Sequence, residues 1–254
     1  MRAGNMAQEL EMQNQERQKI TCEMQEVAET IALAAEDEAF LLFAASPEFN
    51  EGVVGLAASR LVEKYYRPAI VGKVDEETTV CSCRSIAEFH ITDALDQCAD
   101  ILVRHGGHAA AAGFTVRNEH VGELIKRLKA IAAEELSGAD LRPVVVADME
   151  LALDTLSFEM HEHLQYLEPT GYGNPQPVFV SRNARIVSSR TVGRDQSHLK
   201  LTVADGDAKL DAIAFRLGHL KPDLPASVDL LYSFEINEWQ GRKSLQLNVK
   251  DIQF

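Results

Sequence analysis

The sequence predicts an α/β (α+β) layer domain followed by a small antiparallel β-barrel, with a long helix leading into the first. Three observations carry this. Over the first half, segments of two-residue period alternate with segments of 3.6-residue period. Beyond it, "HLKLTV" alternates strictly apolar with polar, and "KLDAIAF", "VDLLYSFEI" and "SLQLNV" repeat the two-residue period. At the start, residues from about Met6 to Ala35 contain neither Gly nor Pro. A length of 254 residues also favours two cores over one.

Each element follows from its own pattern. The opening helix is polar all round in "QELEMQNQERQK", as in a bridge between domains, and then shows an apolar stripe of Ile20, Met24, Val27 and Ile31. "AFLLFAA" (39–45) suits a buried strand. Gly52 introduces a helix with Val54, Ala58, Leu61 and Tyr65 on one face. "RPAIVGKV" and "TTVCSCRSI" read as strands around the acidic turn "DEE". "ITDALDQCADIL" reads as a helix capped by Thr92. "GFTV" is a further strand, and Asn118 is expected to cap a helix of Val121, Leu124, Ile125, Leu128, Ile131 and Ala132 that ends near Gly138.

The pattern changes near "SGADLRP" (137–143). Residues 1–36 are therefore expected as a linking helix, 37–139 as the α/β domain and 140–254 as the barrel domain. The latter opens with a short helix around "FEMHEHLQYL" and the loop "EPTGYGNPQPVF", and "NEWQGRKS" is expected to connect the last two strands. Several short strands of this kind make an OB-fold the leading candidate.

Composition excludes some functions. No stretch is apolar enough to span a membrane and the N-terminus has no apolar signal core, so a cytoplasmic protein is expected. Cys22, Cys81, Cys83 and Cys98 are too scattered for a disulfide framework. The net charge of −14 does not suggest a polyanion as partner. It is unevenly spread, however: from Ser181 onward 11 Lys and Arg face 9 Asp and Glu, so all of the excess acid lies before it.

"RHGGHAAAAGFTV" (104–116) places the smallest residues beside an ionisable ring. That suits a close-approach loop in which Gly106 and Gly107 offer N–H groups to an anion and His108 donates to it. It equally suits a tight turn before a packed strand. Arg84 and Ser85 end a strand; the Arg fork matches phosphate oxygens and serine adds a hydroxyl, though a strand-end arginine is commonly just a surface residue. Gly52 and Gly55 lie at a helix start, where free N–H groups favour anions. Cys81 and Cys83 have no second pair for a metal and read as structural. His161 and His163 read as solvated. Arg194, His198, Lys200, Arg242 and Lys243 would line one barrel face, with Trp239 and Tyr172 as stacking platforms, or else form an ordinary polar sheet face.

These motifs, in this order, resemble the bacterial RecJ family of single-strand-specific 5′-to-3′ DNA exonucleases in the DHH phosphoesterase superfamily. "NQERQKI", "SPEFNEGVVGLAASRL", "CSCRSI", "RHGGHAAAAGF", "GYGNPQPVF" and "HLKLTVADGDAKLDAIAF" carry the resemblance across nearly the whole chain. It implies a DHH-associated domain plus an OB-fold, with the DHH catalytic half and its two Mn²⁺ or Mg²⁺ ions supplied elsewhere. On this resemblance the chain itself holds no metal and is inactive alone. Asn50, Arg84, Ser85, Gly106, Gly107 and His108 would contact substrate phosphate, with His108 assisting catalysis. Arg194, His198, Lys200, Trp239, Arg242 and Tyr172 would hold single-stranded DNA during repair and recombination. The sequence departs from the family pattern at Asn50, usually histidine, and at Cys81, usually glycine. Two other readings use the same motifs: a stand-alone module that binds nucleic acid or protein, and part of a small-nucleotide phosphoesterase.

Overall fold

A computed structural model describes residues 2–34, 40–193 and 195–254. The chain divides into two compact units, Met1–Pro143 and Val144–Phe254.

The first unit runs α1 (Arg2–Leu33), β1 (Leu42–Ser46), α2 (Val54–Tyr65), β2 (Ala69–Val74), β3 (Thr78–Arg84), α3 (Ile91–Asp96), β4 (Leu102–His108), β5 (Ala111–Arg117) and α4 (Val121–Leu136). Its strands form one sheet in the order β1-β2-β3-β5-β4, parallel only between β1 and β2. Alternation along the strands sends side chains to two helical layers. Leu42, Ala44, Ala69 and Val71 pack with Met24, Ala28, Ala57, Ala58 and Leu61 of α1 and α2. Ile70, Cys81, Cys83, Ala112, Phe114 and Val116 pack on the other face with Leu95, Leu124, Leu128 and Leu136 of α3 and α4.

Several sequence expectations change here. The buried stripe of α1 is Met24, Ala28 and Ala32 at strict four-residue spacing, and Val27 is exposed. Ala35 and residues 36–39 lie outside the described residues. The cap of α3 is His90, whose Nδ1 accepts from the Asp93 N–H at 3.2 Å; Thr92 instead donates to the His108 carbonyl at 2.9 Å. Asn118 does not cap α4. It starts a 3-10 turn and stitches the sheet edge, accepting from Thr79 and donating to the Asp75 and Glu76 carbonyls.

The second unit runs β6 (Met149–Glu150), α5 (Phe158–Leu164), β7 (Phe179–Val192), β8 (His198–Asp205), β9 (Ala208–Ala214), β10 (Ser227–Trp239) and β11 (Arg242–Gln253). Strands β7, β8, β9, β11 and β10 close into a five-stranded barrel through the β10–β7 pairing. This is an OB-fold, and one of its pairings, β9–β11, is parallel within an otherwise antiparallel barrel. The expected alternation holds: Leu199, Leu201 and Val203 point inward with Ala212, Leu230, Tyr232, Phe234 and Leu247. Buried Tyr232 satisfies its hydroxyl against Ser181 Oγ at 2.8 Å. Most of "NEWQGRKS" is strand, leaving Gln240 and Gly241 as a two-residue turn. His161 is not a solvated residue; its ring stands 5.9 Å from that of Phe234 in a T-shaped contact.

Candidate phosphate-binding face and barrel surface

The stretch "RHGGH" is the strand β4, where the sequence suggested a loop. Its partner β5 begins only two residues later, so His108, Ala109, Ala110 and Ala111 form a tight hairpin. The hairpin tip is pinned. The carbonyls of His108, Ala109 and Ala110 accept from the Thr92 hydroxyl (2.9 Å), the Ile91 N–H (3.1 Å) and the Ser85 N–H (2.9 Å). Small residues allow that approach. A Cβ at Gly107 would stand 2.4 Å from the Ala111 carbonyl oxygen and the Ala112 Cα. A Cβ at Gly106 would meet nothing within 4 Å, so the face above it is open.

Strand pairing then sets the site. His108 pairs with Ala111, and Ala111 with Arg84. Gly106 pairs with Gly113, and Gly113 with Ser82; Arg104 pairs with Thr115, and Thr115 with Val80. Directly paired residues share a face. Three strands therefore display Arg84, His108 and Arg104 around a floor of Gly106, Ala111 and Gly113, with Ser82 and Thr115 as hydroxyls. The two outer strands lie roughly 10 Å apart, two strand spacings. Val80, Arg104, Gly106, Gly113 and Thr115 help line an open concavity of about 320 Å³ there.

Local contacts aim the cations. The Arg84 guanidinium donates to Ser82 Oγ at 3.2 Å and to its neighbour's carbonyl at 2.8 Å. It lies against the first turn of α2, where a Cβ at Gly55 would come within 3.0 Å of it. Arg104 Nε donates to Thr115 Oγ1 at 3.1 Å. His108 is exposed. The sequence singled out Ser85, but its hydroxyl donates to the Phe89 carbonyl at 2.7 Å, and Ser82 is the serine beside Arg84. The Asn50 side-chain oxygen Oδ1 is also engaged, by the Gly52 N–H at 2.9 Å, so Gly52 is not a free donor at the helix start. Arg104 and Ser82 were missed because only pairing across three strands reveals them.

The side-chain donors on this face are guanidinium, imidazole and hydroxyl, with no carboxylate among the described residues that the pairing places there. That chemistry suits an anion and does not fit a divalent cation. Among the described residues no group of three or more His, Cys, Asp or Glu clusters as a metal site. Buried Cys81 and Cys83 face the core, and burial pushes the Cys81 thiol up to about 12 and Cys83 well above its ordinary value.

On the barrel, the expected residues spread over different environments. Lys200 lies beside Arg190 on the neighbouring strand and 3.5 Å from Asp211. His198 is engaged: its Nδ1 accepts from the Arg216 N–H at 3.1 Å and lies 3.0 Å from Ser197 Oγ. Arg242 is exposed at the β10–β11 turn, and Lys243 pairs loosely with Glu238 at 4.0 Å. Tyr172 is fully solvated in a loop that Asn174 organises by donating to the Leu167 and Pro169 carbonyls. Arg194 and the Trp239 side chain lie outside the described residues.

Comparison with known proteins agrees with this architecture. Residues 37–134 match the model of the DHHA1 domain, and residues 147–251 that of the RecJ OB domain. The single-stranded-DNA-specific exonuclease RecJ of Bacillus subtilis is 36% identical over 98% of this chain and 32% of its own length. RecJ of Haemophilus influenzae is 31% identical over 99% of this chain and 46% of its own length. A crystal structure of RecJ with Mn²⁺ from Thermus thermophilus superposes with a TM-score of 0.78 at 28% identity, covering 97% of this chain and 35% of that one. The chain thus spans a third to a half of the length of these relatives. With a DHHA1 domain followed by a RecJ OB domain, the chain belongs to the RecJ family, of whose longer members it corresponds to the C-terminal part.

Proposed function

We propose that this chain is the substrate-holding portion of a single-strand-specific 5′-to-3′ DNA exonuclease of the cytoplasm that serves repair and recombination. The hairpin face grips backbone phosphate and the barrel holds the single strand. One observation carries this reading: Arg84, Arg104 and His108 surround an open glycine floor on a single sheet face. Guanidinium forks match phosphate oxygens, and the floor lets the anion approach backbone that side chains would otherwise screen. The Mg²⁺ or Mn²⁺ of the complete enzyme belongs to the DHH catalytic domain, which is the partner this chain requires. The carboxylate-free face here orients substrate and offsets phosphate charge.

The test is fluorescence-anisotropy titration of a labelled single-stranded oligonucleotide. Arg84→Ala and Arg104→Ala should each weaken binding about five- to tenfold, the range of one charge-assisted hydrogen-bonded contact. Wild-type affinity in both variants would sink the assignment of the face. With Mn²⁺ added, the chain alone should leave the oligonucleotide uncut.

A further inference from the structure

We propose that Phe215 is a base-stacking platform for single-stranded DNA, and that His198 is a positioning residue that holds its ring. This rests on the single-strand reading above. Phe215 follows β9 directly. Since Leu199 pairs with Ala214, extending the register by one residue brings Phe215 opposite His198. Ala212 and Ala214 point into the barrel, so Asp211 and Phe215 lie on its other side. The Phe215 side chain is 53% exposed, whereas Phe179 and Phe234 of the same barrel are 5% and 3% exposed.

An exposed phenyl group would ordinarily be free to move, and this one is held. The His198 and Phe215 rings meet in a T-shaped contact, centroids 5.2 Å apart at 73°. An edge-on contact takes up at most one of the ring's two faces. His198 is fixed in turn by the Arg216 N–H on its Nδ1, and Arg216 takes a left-handed φ of 63° immediately after Phe215. The residues just before His198 are clamped as well. Gly218 donates its N–H to the Ser197 carbonyl at 2.8 Å, and a Cβ there would lie 2.4 Å from the Gln196 oxygen. An aromatic ring is thus held by contacts that still leave 53% of the residue open to solvent.

The surroundings select the ligand. Arg190 and Lys200 sit side by side on the same outer surface, roughly 7 Å along the strand from the His198–Phe215 pair. Lys200 shares its charge with Asp211, which also accepts from Thr202. A single aromatic ring flanked by cations and polar groups is too small an apolar patch for a protein partner. It is the combination that takes a base on its face and the backbone on its cations, with tolerance of sequence.

The experiment uses the whole chain with a labelled single-stranded oligonucleotide, read by anisotropy at several salt concentrations. Photocrosslinking to a 5-iodouracil-substituted strand, mapped by mass spectrometry, gives a second readout. Phe215→Ala should weaken binding about tenfold with an unchanged salt slope, since it removes stacking and no phosphate contact. Phe215→Trp should restore binding, and the wild-type crosslink should fall on Phe215. His198→Asn keeps an acceptor for the Arg216 N–H but removes the ring. It should weaken binding less, with no added effect in the Phe215→Ala background. Wild-type affinity in Phe215→Ala, or crosslinks that avoid Phe215, would overturn the stacking platform while leaving the single-strand reading in place. Full additivity of His198→Asn with Phe215→Ala would overturn the positioning role. A wild-type chain that binds no single strand at low salt would overturn the underlying reading, and the platform with it.

Discussion

Cys81 shows how a single residue is accommodated. The space its sulfur occupies is left by Gly72 on the paired strand, where a Cβ would come within 2.5 Å of Sγ. Burial holds the thiols of Cys81, Cys83 and Cys98 in the protonated form by raising their pKa, and only Cys22 is exposed. At pH 8 a thiol-specific chromogenic reagent should therefore label one of the four cysteines in the folded chain, and all four in denaturant. Rapid labelling of a second thiol in the native state would mean that the sheet opens around Cys81. That Cys81 and Cys83 are structural was legible from the lack of a second pair for a metal. The roles of Ser82 against Ser85 were not, because the sequence places both beside Arg84 and only the strand's end decides which shares its face.

At the level of elements, the hairpin of β4 and β5 divides its glycines between two tasks. Gly107 faces its own partner strand, and an added Cβ would strike backbone atoms of Ala111 and Ala112 that cannot give way. Gly106 faces open space. Gly107→Ala should therefore destabilise the first unit by about 2–3 kcal/mol, and Gly106→Ala by less than about 1 kcal/mol. Urea denaturation followed by circular dichroism checks this, and equal midpoints for the two variants would refute the division. The helices α2 and α4 were legible because their apolar period is local and long. The hairpin was not: glycine and alanine are poor strand formers, and the pairing that makes "RHGGH" a strand is supplied by β5 and by the pinned tip. Helix starts failed for a similar reason. Thr92 and Asn118 are good capping residues, yet each has a stronger partner in the tertiary structure.

For the whole molecule, the proposed function raises the question of how a chain of net charge −14 would hold a polyanion. Its net charge opposes DNA, so under that proposal the grip would come from a few cations at short range: Arg84 and Arg104 on the sheet, Arg190 and Lys200 on the barrel. Salt separates the two effects because it changes the range of the field. The Debye length is about 10 Å at 0.1 M salt, so above that concentration mainly the local cations act on the strand. At about 0.01 M it reaches roughly 30 Å, and the acidic remainder of the chain is felt as well. With Lys200 already paired to Asp211, the other three cations would neutralise three phosphates and give a plot of log K against log salt a slope of about −2 for a single strand. We expect that slope above roughly 0.1 M, flattening toward 0.01 M as long-range repulsion offsets the gain from counterion release. Arg84→Ala should make the upper slope shallower by about 0.7, the share of one phosphate. A straight line down to the lowest salt would show that the acidic surface lies too far from the bound strand to matter. A slope much steeper than −2 would mean that more cations meet the backbone than these two surfaces display.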